Sequence, residues 1–368
     1  MSLTWLLVFV PIAFVLDYTG VDPIVVFCAS ALAIVPLASL MEEATDVLAD
    51  YLGPTYGGLL SATMGNAPEL IIGIAALSNG LIDVLKASIS GSVLGTLLFG
   101  IGVTLVFGGL RKPVQTFDRE MVASNSALLM LATFALIVPA VFHFSVNTDQ
   151  ELSMEMSVVL LIVYAASMLY TLFAKRPLVG KEAVAVAMRE TGEGRAELDA
   201  ERELMPHWSR NFALGVLAVV TVALAFVSEL LTGSLEPTAK SLNLTPAFAG
   251  VFLLALVGNI PQYMNSASFA YKDKMTLALA INLGATTQLA LMVAPLLVIV
   301  GTLMGLPMNL IFSPFELVGV VLSVVIARDL LADNRSTWLE GVLLIAVYAM
   351  IGLGFYHMPG TVTPVVLP

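Results

Sequence analysis

The chain has 368 residues, 58% of them hydrophobic and only 12% charged, with a formal net charge of −11. Soluble domains carry about a quarter charged residues, so this composition and a mean hydropathy of +0.95 exclude a single water-soluble core and indicate a polytopic membrane protein. The negative balance argues against nucleic acid as a partner, and a single cysteine, Cys28, excludes an internal disulfide framework or a Cys-based metal cluster.

A membrane-crossing helix needs about 20 apolar residues. Apolar runs predict helices near 3–18, 22–41, 54–79, 83–108, 120–142, 152–174, 209–231, 246–271, 275–304, 310–328 and 337–357, eleven in all. Met1 to Leu16 lacks a basic leader and a cleavage site, so it reads as a retained first helix. With eleven spans, the connections at 109–119, 175–208, 272–274 and 329–336 fall on one side. Together with their flanks they hold every lysine and arginine except Lys86 and Lys240. Loops rich in Lys and Arg stay in the cytoplasm, which places the amino terminus inside and the carboxyl terminus outside an integral, multi-pass protein. The stretch from Lys181 to Glu203 is strongly acidic. It reads as a solvated linker, or as an element that gathers cations.

The third predicted helix contains Gly65-Asn66-Ala67-Pro68-Glu69, and the eighth contains Gly258-Asn259-Ile260-Pro261-Gln262. A constant offset of 193 positions relates them: Gly65 falls on Gly258, Glu43 on Glu236, Pro68 on Pro261 and Gly91 on Gly284. Gly and Pro interrupt helices, so Gly65, Pro68, Gly258 and Pro261 predict a break at the centre of each span. Helices two to six match helices seven to eleven. Because five is odd, the halves enter the membrane from opposite sides. The expected fold is therefore an all-α membrane protein, one extra amino-terminal helix (1–20) plus two inverted five-helix repeats (21–174 and 209–368) joined by an acidic cytoplasmic loop (175–208). Paired helix breaks at the midplane mark the binding site of many secondary transporters.

Glu69 is the leading candidate for chemistry, because an acid inside a membrane span is functional by default. Desolvation favours a protonated carboxyl, so a proton and a cation can compete for one group. Asn66 and Asn259 offer neutral oxygens nearby, or cap the broken helix ends. Ser92, with Ser88 one turn away, and Gln288, with Asn282 and Thr286, add polar groups that serve as ligands or as interhelical contacts. Glu43 and Glu236 would form acidic vestibules at opposite faces, with Glu42, Asp46 and Asp50 beside Glu43; the plainer reading is exposed acids at helix ends.

These residues resemble the calcium/proton exchangers of the calcium/cation antiporter superfamily. Gly65-Asn66-Ala67-Pro68-Glu69-Leu70-Ile71 is similar to the first repeat motif of that family, and Lys86 to Ser92 continues it. Gly258-Asn259, Tyr271 to Leu279 and Gln288-Leu289-Ala290-Leu291 resemble the second. The resemblance implies a cation held between two glutamates, one from each repeat. Here Glu69 matches the first, while Gln262 stands in place of the second. An amide keeps a carbonyl oxygen but loses a negative charge and a proton site. Calcium takes about 6–8 oxygens, with affinity tuned by ligand charge. The expected activity is cation/proton exchange with altered coupling, Glu69 carrying the proton and the metal ligands drawn from Glu69, Gln262, Asn66, Asn259, Ser92 and Gln288. Calcium is the leading substrate, and Gln262→Glu should strengthen its binding. No cofactor is implied; the partners are the inorganic cation, protons and membrane lipid, and a homo-oligomer is compatible with the sequence. Alternatives are a sodium/calcium or sodium/proton exchanger, or a non-transporting relative. No Ser/His pairing or metalloprotease motif suggests an enzyme.

Overall fold

The structure, a computed structural model, describes residues 3–143, 149–174 and 208–358. The expected acidic loop therefore lies outside the described residues, apart from Trp208. A short 3-10 helix, Leu3–Val8, leads into α1, Phe9–Tyr18. The helices that follow are α2 (Pro23–Gly53), α3 (Tyr56–Ser78), α4 (Ile82–Gly109), α5 (Arg119–Phe142) and α6 (Asp149–Ala174). After residue 208 come α7 (Arg210–Ser241), α8 (Pro246–Tyr271), α9 (Met275–Leu303), α10 (Pro314–Leu330) and α11 (Trp338–Tyr356). Among the described residues, nine of these are long and apolar enough to cross a membrane. The exceptions are the amino-terminal helix, shorter at Thr4–Tyr18, and α10, with 17 residues.

Local chemistry explains the boundaries. Pro23 opens α2 behind an Asp22 cap, and Gly53, at φ 78°, separates α2 from α3 with a backbone that only glycine adopts freely. Ser313 with Glu316, and Thr337 with Glu340, close capping boxes at the starts of α10 and α11.

In lipid, close van der Waals packing rather than water exclusion holds helices together. α7 lies along α2, with Phe27, Ile34, Leu37 and Met41 meeting Val220, Leu224, Leu231 and Leu235 at helical spacing. α4 runs through the middle and touches α8, α10 and α11. Two glycines bring its backbone against α8: a Cβ on Gly91 would lie 2.4 Å from Val251 Cα, and one on Gly250 would lie 2.4 Å from the Val84 carbonyl oxygen. α9 packs on α5 and α6.

Three of the basic connections meet at one end of the bundle. Val114–Thr116 (β1), after α4, pairs antiparallel with Arg335–Thr337 (β2), before α11. Lys112 forms an ion pair with Asp273 in the α8–α9 turn, and Arg111 sits over the Tyr271 ring at 4.9 Å. Other connections are tied elsewhere, where Lys86 Nζ donates to Asn309 Oδ1 at 2.7 Å and Gln150 donates to the Met308 carbonyl at 3.1 Å.

One expectation needs correction. α3 is interrupted at Gly65-Asn66, but the corresponding run in α8 is not: Ala255–Tyr271 is continuous α-helix with Pro261 inside it. The irregularity in α8 lies upstream, in a π-helical stretch at Ala249–Leu254. Gly258 and Pro261 therefore do not break the helix. Proline there removes one donor while its fixed φ remains compatible with helical backbone.

Candidate functional site

The site begins with the break in α3. The first helical piece ends at Met64, Gly65 and Asn66 form a turn, and a new helix starts at Ala67. Pro68 occupies its first turn, where no intrahelical N–H is needed. Glu69 is in the same turn, near N–H groups that have no intrahelical acceptor and at the positive end of the helix dipole. The backbone thus offers partial positive charge to a carboxylate taken out of water.

A cavity of about 80 Å³ opens beside this turn. Its lining includes Glu42 from α2, Asn66 and Glu69 from α3, Gly258 and Gln262 from α8, and Gln288 from α9. A second, smaller cavity of about 20 Å³ touches Glu69 from another side, with Ser88 and Ser92 of α4 among apolar Ile72, Leu254, Leu289 and Val293. Gly258 borders both, and a Cβ there would lie 4.0 Å from Glu69 Cγ. Among the described residues, Glu69 Oε2 is buried without a hydrogen-bond partner. An unsatisfied buried carboxyl oxygen is costly, and a proton or a cation is the species that would satisfy it.

The surrounding amides cross between the halves. Asn66 Nδ2 donates to Gln288 Oε1 at 2.7 Å. Its side chain makes no capping bond, so the capping role is not taken up. Asn259 Nδ2 donates to Ser92 Oγ at 3.0 Å and to the Ala255 carbonyl at 2.8 Å, and the Thr96 hydroxyl lies 3.5 Å from its Oδ1. Gln262 Nε2 donates, at a long 3.4 Å, to Asn282 Oδ1. Asn282 Nδ2 in turn donates to Thr104 Oγ1 and to the Ala278 carbonyl, both at 3.1 Å.

The structure thus brings Glu69, Gln262, Asn66 and Gln288 to one cavity, with Gly65, Pro68, Gly258 and Pro261 in its wall. Ser92 lies at the smaller cavity. Asn259 is buried between α8 and α4 and lines neither. The two acids expected at opposite faces line neither cavity: Glu43 is exposed, and Glu236 pairs with Lys240 at 2.6 Å one turn away. Glu42 faces the cavity instead, at helical spacing from Ala38 and beside Met41. Repeat matching pairs Glu43 with Glu236 and is silent on Glu42; helical phase (38, 41 and 42 on one face) is the signal that finds Glu42.

Comparison with known proteins identifies the family. The model of the sodium/calcium exchanger protein family matches residues 23–173 and 212–356. A Ca(2+)/H(+) antiporter of Aphanothece halophytica is 42% identical, the match covering 96% of each chain. The Ca(2+)/H(+) antiporter ChaA of Bacillus subtilis is 34% identical, covering 90% of this chain and 92% of the relative. Among solved structures, native YfkE superposes with a TM-score of 0.81 at 31% identity, covering 97% of this chain and all of that one (100%). The H+/Ca2+ exchanger CAX shares the fold, with a TM-score of 0.68 at 13% identity over 96% of this chain and 91% of its own. With both halves matched, the chain belongs to the sodium/calcium exchanger protein family and groups, within it, with the transmembrane calcium/proton antiporters.

Proposed function

We propose that this chain is a secondary active cation/proton antiporter with calcium as its leading substrate. The observation that carries the reading is the buried, unpartnered Glu69 oxygen, set in a polar cavity between the two halves. One carboxyl group that takes either a proton or a cation couples the two by competition. Alternating access follows if the polar cavity and the smaller, mainly apolar one open in turn on either side of Glu69.

Packing supports the inverted repeat of eleven crossings. Under the 193-residue offset α4 corresponds to α9, α5 to α10 and α6 to α11. The contact of α4 with α11 then maps onto that of α9 with α6, and α4 with α10 onto α9 with α5. Each contact has its exchanged twin, which is the signature of a two-fold relation between units. The π-helical stretches also correspond closely, Gly95–Gly100 in α4 and Leu289–Val293 in α9. The end that gathers Arg111, Lys112, Lys272 and Arg335 is the cytoplasmic one on this reading.

Purified protein in liposomes with an imposed pH gradient tests the proposal. Calcium flux should follow the gradient and vanish in Glu69→Gln; undiminished flux in that variant removes Glu69 from the mechanism. A second reading, sodium exchange, draws on the neutral Gln262, since less ligand charge suits a monovalent ion. It predicts that an imposed sodium gradient, and not a pH gradient, drives the flux.

A further inference from the structure

We infer that Glu42, and not the residue at position 262, supplies the second carboxylate of the cation site. The inference rests on the cavity beside Glu69 being the cation path. Glu42 lines that cavity together with Glu69, whereas Glu43 turns away and is exposed. Asn265 Nδ2 donates to Glu42 Oε2 at 2.5 Å. Asn265 lies three residues beyond Gln262 on α8, so both project from one helix face. α8 therefore holds a carboxylate borrowed from α2, one turn from where its own would have stood.

Position 262 is meanwhile built for an amide. The Ala278 carbonyl can only accept, so Asn282 turns its nitrogen there and its oxygen toward Gln262. That oxygen needs a donor, which the Gln262 amide provides and a carboxylate does not. Gln262 then presents its own Oε1 away from Asn282. With Glu69 and Glu42 the cavity offers two negative charges for a divalent ion, and neutral oxygens from Gln262 and Ser61 beside them. If both carboxyls are protonated before the ion enters, two protons leave as one Ca²⁺ binds, and the cycle moves no net charge.

The decisive variant is Glu42→Gln. Its amide oxygen still accepts from Asn265, so the contact between helices survives while the charge is lost. Calcium and proton fluxes are recorded together in liposomes, in Glu42→Gln, in Glu42→Asp, and in Glu43→Gln as a charge-matched change outside the cavity. Glu42→Gln should raise the calcium KM about tenfold or more and drop the proton-to-calcium ratio from about two to about one. Glu42→Asp should keep the ratio near two, and Glu43→Gln should keep both values. The effect should persist in about 1 M choline chloride, where the screening length is about 3 Å; a merely attracting vestibule acid would lose its effect there. A KM within twofold of the parent, an unchanged ratio in Glu42→Gln, or an effect erased by salt overturns the inference. Glu69→Gln, run alongside, separates the two levels: if it too transports normally, the cavity is not the cation path.

Discussion

In α3 the Gly-Asn-Ala-Pro-Glu run ends one helix and begins another, while in α8 the matching Gly-Asn-Ile-Pro-Gln run stays inside a single helix from Ala255 to Tyr271. The difference decides what the fifth residue can be. Glu69 stands in the first turn of a new helix, where unpaired N–H groups favour negative charge. Gln262 stands in mid-helix, where every nearby N–H belongs to the helix ladder and the contact on offer is the Asn282 oxygen. A carboxylate in lipid needs such support, and at the matching positions α3 provides it while α8 does not. The comparison teaches that sequence equivalence between repeats need not carry electrostatic equivalence.

The largest effect expected from breaking this asymmetry is at the charged position. Glu69→Gln leaves the shape of the cavity and removes its proton site, so proton-driven calcium flux in liposomes should fall to the leak of empty vesicles. Next comes the backbone contact that holds α8 against α4. A methyl group on Gly91 would sit 2.4 Å from Val251 Cα, and overpacking of this kind costs about 1–3 kcal/mol. Gly91→Ala should therefore melt clearly earlier in detergent. Gly258→Ala is its counterpart at the site: its methyl would meet Ile72 at 3.7 Å and Glu69 at 4.0 Å, ordinary contacts. Its melting temperature should match or exceed that of the parent, since alanine is about 1 kcal/mol better than glycine in a helix.

A smaller effect sharpens the comparison in α8 itself. From sequence, Gln262→Glu alone is expected to strengthen calcium binding. The structure adds Asn282, whose oxygen would oppose a carboxylate. The single change should then gain little, and Gln262→Glu combined with Asn282→Ala should gain about tenfold in calcium affinity as ligand charge rises. Isothermal titration of the four proteins in the cycle gives the coupling directly; equal gains with and without Asn282→Ala would show that Asn282 does not set the residue at 262.

Much of this was legible in the chain. Apolar run length located the helices, because a helix satisfies its backbone polar groups within one span, and the offset of 193 found both motifs. Glu69 declared itself as an unbalanced charge in an apolar run. Other features were not legible. The π-helical stretches of α4, α8 and α9 shift helical phase by a fraction of a turn without changing composition. Pro261 read as a break because proline usually is one, yet the helix continues through it. Repeat matching singles out Glu43 and not Glu42, because it compares positions in a line, whereas a cavity selects by the face of a helix. The Asn282 link to Gln262 depends on how α9 turns against α8, which no local pattern encodes.

The two asparagines give the finest test of the same comparison, since the repeat pairs them and the structure separates their work. Asn259 joins α8 to Ser92 on α4 and lines neither cavity, so Asn259→Ala removes packing without touching the ion. An interhelical hydrogen bond in a membrane averages about 0.6 kcal/mol, and the variant should melt slightly earlier with its calcium KM unchanged. Asn66 lines the cavity and bonds Gln288, which lines it too. Asn66→Ala should therefore raise KM while its melting temperature moves no further than that of Asn259→Ala. The opposite pattern, with KM rising only in Asn259→Ala, would move the ion from α3 toward α4 and α8 and give Gln262's helix the part assigned here to the broken one.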